Sequence, residues 1–245
     1  MQRIGFDRMI KLDWIEYYAK ISRHEEDTGK LKEQMHETLF EECPQMASRK
    51  KNITILQRIW TRVEAEHRLL RRGALNILDD VEMPERLALH WGMSLLAYPF
   101  FREIAACCGR FLKLQKNFSR QQIKEQITAT WGARPTLERA LPRVLESMVD
   151  WGALSHAGRK SLYRAQPEIQ VTDEQLRLWL LYVCLEIEGG CLSLERAASL
   201  PCLFPFSFNI SLAEIQQANC FSVTRERNNS IVVTCQGDGS CGWSS

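Results

Sequence analysis

RPTLERALPRVLESMVDWGALSHAGRKSLYRA, residues 134–165, places Leu137, Leu141, Val144, Leu145, Met148 and Trp151 on one face of a helix. Gly152 closes that helix. Residues 153–155 and 161–164 then read as short strands around His156, Ala157, Gly158, Arg159 and Lys160. Thr136 is expected to cap the helix. Pro142 has no N–H for the Glu138 carbonyl and is expected to kink the helix or delay its start. The preceding stretch, FSRQQIKEQITATWG (118–132), offers Ser119 as an N-cap, Ile123, Ile127 and Trp131 on one face, and Gly132 as a stop. Helix, three-residue turn, helix and basic hairpin follow the order of a winged helix-turn-helix.

In that arrangement each stripe has its own partner. The apolar face goes to the core, while Arg134, Thr136, Arg139 and Arg143 are offered to a major groove. Arg159 and Lys160 at the wing tip reach a phosphate strand, with His156 and Arg164 beside them. Winged helices also dock proteins. Two competing readings therefore stay open: a sequence-specific transcription regulator, and an assembly subunit that binds no DNA.

The 245 residues carry a formal net charge of only +2, with 45% apolar and 25% charged residues. The distribution says more than the total, because a polyanion feels local charge. Between Arg49 and Arg72 stand eight Lys or Arg against Glu64 and Glu66, and between Gly109 and Lys124 five with no acid. Between Arg134 and Arg164 stand six against three acids. Arg49, Lys50 and Lys51 crowd the first turn of a predicted helix, where cations oppose the macrodipole, so phosphate contact is a candidate role for them too.

The rest of the chain reads as mostly helix. KLDWIEYYAKIS (11–22), TGKLKEQMHETLF (28–40, capped by Thr28), SRKKNITILQRIWTRV (48–63) and EHRLLRRGALNIL (66–78) are amphipathic. PERLALHWGMSLLAYPFFREIAACCGRFLKLQ (84–115) is the most apolar part, with Pro84 as N1 and a break near Tyr98 imposed by Pro99. TDEQLRLWLLYVCLEI (172–187) is expected to pack beneath the wing, and Gly189–Gly190 ends it. A short helix at 211–219 precedes a hairpin, CFSVTR and SIVVTC, turning at Asn228–Asn229. That hairpin reads as a cap rather than a second wing-like module. The fold class is thus mainly α, in four parts. These are a helical N-terminal bundle (1–116), the winged helix-turn-helix with its packing helix (117–188), a small helix and β-hairpin extension (189–236) and a flexible tail (237–245).

Several classes are disfavoured. The start has no apolar h-region, and the longest apolar run is short and interrupted by Arg102 and Glu103, so a cytoplasmic chain with no membrane partner is expected. Nine cysteines show no C-x-x-C, which argues for buried thiols over zinc. No phosphate-loop, dinucleotide, zincin or nucleophile-elbow motif occurs. Asp79, Asp80 and Glu82 lack a paired lysine for nuclease chemistry, Cys107–Cys108 read as packing residues, and His90 as a packed or capping histidine. The expectation is a protein without catalysis, metal or cofactor.

Two N-terminal helices, the basic SRKKNITILQRIW, the apolar HWGMSLLAYPFF and a helix-turn-helix ending in MVDWGALS occur in the order of the BrxA-type accessory proteins of bacterial BREX phage-defence loci. The chain resembles them over about residues 10–180. That resemblance implies an all-helical, winged-helix-containing, non-catalytic protein that binds double-stranded DNA. It also implies antiviral defence beside a methyltransferase, a phosphatase-like protein and an ATPase. The part after residue 187 has no counterpart in it.

Overall fold

A computed structural model describes residues 4–226 and 230–236 of the chain. It is mainly α. Four helices come first: α1 (Leu12–His24), α2 (Thr28–Thr38), α3 (Met46–Trp60) and α4 (Arg68–Ile77). α5 (Leu87–Ala97) and α6 (Pro99–Leu114) follow, parted at Tyr98 because Pro99 occupies the first helical position of α6. Strand β1 (Asn117–Ser119) leads into α7 (Arg120–Trp131) and α8 (Pro135–Asp150), and these into β2 (Leu154–Ala157) and β3 (Arg159–Ala165). After β4 (Ile169–Gln170) come α9 (Glu174–Ile187), β5 (Cys191–Ser193), α10 (Leu194–Ser199) and β6 (Phe206–Ser207). α11 (Leu212–Gln217), β7 (Phe221–Arg225) and β8 (Ile231–Cys235) complete the chain. The expected turn at Asn228–Asn229 and the tail at 237–245 lie outside the described residues.

Local expectations fail where a neighbour supplies a better partner. Asp27, not Thr28, caps α2, its carboxylate accepting from Gly29 N at 2.7 Å. Pro84 stands in a turn before α5, where Arg86 donates to the Val81 carbonyl at 2.6 Å and to Glu16. Thr136 is helical rather than a cap, because Pro135 opens α8 one residue earlier. Pro142 neither breaks nor delays α8. It and Glu138 line an open groove.

The core is organised around aromatic rings. Trp91 of α5 meets Phe101, Trp151, Phe204 and Phe206 edge-on, and its indole N–H donates to the Cys202 carbonyl at 2.8 Å. Trp151 donates to the Ile10 carbonyl at 2.9 Å, tying the N-terminal segment to the end of α8. α9 packs against α4 and α5 rather than beneath the 154–165 hairpin, and Trp179 donates to the Leu70 carbonyl at 2.8 Å. Its almost wholly apolar sequence suits burial on more than one side. Among the described residues seven cysteines are free thiols and Cys220 is disulfide-bonded.

Candidate nucleic-acid interface

Ser119 starts the local structure of the site. Its hydroxyl accepts from Gln122 N while the Gln122 side chain accepts from Ser119 N, a closed capping box. Gly132 (φ +75°) releases the chain from α7, and α8 then buries Leu137, Leu141, Val144, Leu145 and Met148. Beyond Gly152 the hairpin of β2 and β3 is widened on its far side by β1, giving the order β1-β3-β2. Phe118 faces Tyr163 across the β1–β3 pair. That third strand is absent from the sequence reading, because three residues carry no periodicity of their own.

The outward face of α8 forms one wall of a groove of about 840 Å³. Ile4, Gly5, Asp7 and Arg8 of the N-terminal segment and Lys51 of α3 complete its lining. Two bonds hold the N-terminal segment there: Ile10 N donates to Ser147 Oγ at 2.8 Å and Leu12 N to Asp150 Oδ1 at 2.6 Å. Arg134, Thr136, Arg139 and Arg143 line the groove, as does Arg8, a residue the sequence reading passed over. Nothing local marks Arg8. It matters because a segment about 140 residues away from α8 in the chain is pinned against it.

Charge pairing in the groove is lopsided. Of its three acids, Asp7 has no cation within ion-pair distance among the described residues, whereas Glu138 is bonded to Lys124 at 2.7 Å, which holds its carboxyl below the usual range. Glu146 accepts from the Tyr163 hydroxyl at 3.2 Å and lies 3.4 Å from His156. Burial, then Glu146, raises the Tyr163 hydroxyl pKa far above its ordinary value, so it remains a donor. Arg8, Lys51, Arg139 and Arg143 have no acid within ion-pair distance among the described residues. Among the described residues, Arg139 hydrogen-bonds only to the Pro135 carbonyl, and the buried Nε of Arg8 has no hydrogen-bond partner. Arg134 donates to the Trp131 carbonyl at 2.6 Å.

Other expected residues fall elsewhere. Arg159, Lys160 and Arg164 are exposed on the hairpin, Arg164 donating to Ser155 Oγ at 3.0 Å. His156 links the hairpin to α8 through Glu146. Arg49 does not join the groove: it is only 5% exposed, donates to the Cys43 and Pro44 carbonyls, and sits over the Phe40 ring. Lys50 is exposed on α3 and does not line the groove; the His36 imidazole pKa is lowered by burial first and then by Arg49, Lys32 and Lys50. The 109–124 run is largely engaged within the protein, Arg110 with Glu103, Lys113 with the Ser199 carbonyl and Lys124 with Glu138. Arg68 and Arg72 line a separate cleft of about 380 Å³.

Among the described residues, no His, Cys, Asp and Glu cluster that could hold a metal ion occurs, and no helix is long and apolar enough to cross a membrane. Comparison with protein-family models, curated proteins and solved structures finds no match to this chain.

Proposed function

We propose that residues 117–165 form a winged helix-turn-helix and that this chain binds duplex DNA mainly through phosphates, without acting on it chemically. One sugar-phosphate strand lies in the groove along α8, and Arg159, Lys160 and Arg164 of the hairpin meet the backbone beside it. One observation carries the reading: Arg8, Lys51, Arg139 and Arg143 line one groove without ion-pair partners among the described residues, while Glu138 and Glu146 are engaged elsewhere and Asp7 is the one acid left to face them. An unbalanced set of cations costs self-repulsion, which a bound polyanion removes. As part of the same proposal, the resemblance to BrxA-type proteins suggests a bacterial phage-defence locus as the setting, with other defence subunits as partners.

The test is the salt dependence of binding to a random-sequence duplex, read by fluorescence anisotropy. With roughly five groove cations and three on the hairpin, and about 0.9 per neutralised phosphate, log K against log salt should fall with a slope of about −4 to −7. Replacing Arg139 and Arg143 with Ala should weaken binding and make the slope shallower by about 1.8. Absence of binding at low salt would favour a subunit that docks protein, and an unchanged slope in the variant would remove the groove from the interface.

A further inference from the structure

The described residues of 174–236 retrace the path of residues 99–166. α6 leads to β1, whose last residue, Ser119, caps α7; α9 leads to β5, whose last residue, Ser193, caps α10. Each cap hydroxyl accepts from the amide three residues on. The later sheet has the order β5-β8-β7, the earlier one β1-β3-β2, so in both the first strand pairs with the third. The central pairs correspond: Phe118 faces Tyr163 and Leu192 faces Val233, all four buried.

The second helices also end alike. Gly152 follows α8 at φ +75°, and Asn219 follows α11 at φ +53°, the one non-glycine residue with positive φ among the described residues. A fully buried residue comes next in each, Ala153 or Cys220. Past the third strand, Gln166 N donates to the Ala153 carbonyl at 3.1 Å and Gln236 N to the Cys220 carbonyl at 2.8 Å. The second unit departs in two ways: α10 and α11 have six residues each where α7 and α8 have 12 and 16, and an insertion between α10 and α11 joins the two units. Its β6 pairs in parallel with β4 of the connection, and its Pro201 carbonyl presses on Gly109 of α6.

We infer that residues 174–236 are a second winged-helix unit, with α11 in the place of α8, and that the outer face of α11 is a second contact with duplex DNA that reads bases. The inference rests on the DNA-binding reading of the first unit. The exposed residues of α11 are Ala213, Gln216 and Gln217. Its lone charge, Glu214, is occupied by the Ser211 cap and then by Arg177, which hold its carboxyl pKa down at about 2. With no lysine or arginine on it, this face contributes nothing to counterion release. Glutamine amides instead match the N6–H donor and N7 acceptor of adenine in the major groove, and Ala213 leaves room for close approach. The first unit therefore supplies charge and the second supplies choice.

The test uses the full chain with Gln216 and Gln217 both replaced by Ala, two exposed positions whose loss leaves the core intact. Anisotropy is measured on adenine-rich and G·C-rich duplexes of equal length, and on the adenine-rich one with 7-deazaadenine, which lacks the N7 acceptor. The wild type should prefer the adenine-rich duplex by roughly tenfold or more and lose that preference with 7-deazaadenine. The variant should lose it too, at an unchanged salt slope. Equal wild-type binding to both duplexes, or a variant that keeps the preference, overturns the inference while leaving the first unit's role standing. A wild type that binds no duplex at low salt overturns both.

Discussion

Arg49→Ala should weaken the fold and leave the salt slope of the proposed DNA binding unchanged, although Arg49 belongs to the strongest basic run in the chain. Its guanidinium donates to the carbonyls of Cys43 (2.9 Å) and Pro44 (2.8 Å), closing the turn between α2 and α3. Bonds from a charged donor are worth about 1.5–3 kcal/mol each. The value here is toward the lower end, because Pro44 is exposed and water replaces part of the loss. The contact with Phe40, at 4.9 Å from the ring centroid, adds roughly 0.5 kcal/mol, since that ring is 59% exposed. The sum is about 3–4 kcal/mol. With a urea m-value of about 3 kcal/mol/M for a chain of this size, the unfolding midpoint should fall by roughly 1 M. Urea denaturation followed by circular dichroism measures this, with anisotropy on a random duplex measuring the slope in parallel. An unaltered midpoint together with a slope shallower by about 0.9 would show that Arg49 meets phosphate and that its burial has been misjudged.

Gly109→Ala places a Cβ 2.1 Å from the Pro201 carbonyl oxygen, a backbone atom. The α6 contact with the 200–207 segment must open, and thermal unfolding should show a loss of about 3 kcal/mol or more. Ser119→Ala removes half of the capping box of α7 and should cost about 0.5–2 kcal/mol in the same assay, with no effect if the cap is unimportant. Glu16 is half-buried, and although burial opposes its ionisation, hydrogen bonds from His90, Lys20 and Arg86 hold its carboxyl pKa far below 4.5. A depressed carboxyl stabilises the native state above its unfolded pKa. Stability should therefore decline as pH falls below about 4.5, and Glu16→Gln should flatten that part of the curve at a cost in stability at neutral pH.

The local elements were legible in the amino-acid order because their causes are local. Helical spacing, the Ser119 cap, the Pro99 break and Gly152 each act within a few residues, and α1, α3, α7, α8 and the 154–165 hairpin lie close to where those signals put them. Arg139 and Arg143 could be read as outward-facing for the same reason, being four apart opposite the apolar stripe of α8. Pairing at a distance was beyond such signals. β1 and β5 are three residues long and exist only because β3 and β8 satisfy their backbones, so the sheets, and with them the likeness of the two units, emerge only in three dimensions. Tertiary packing likewise drew Arg49 out of solvent, set α9 against α4 and α5, and brought Arg8 to Arg143. A cation's charge is a property of its residue, whereas its freedom to meet a phosphate depends on which carbonyls and carboxylates the fold places beside it.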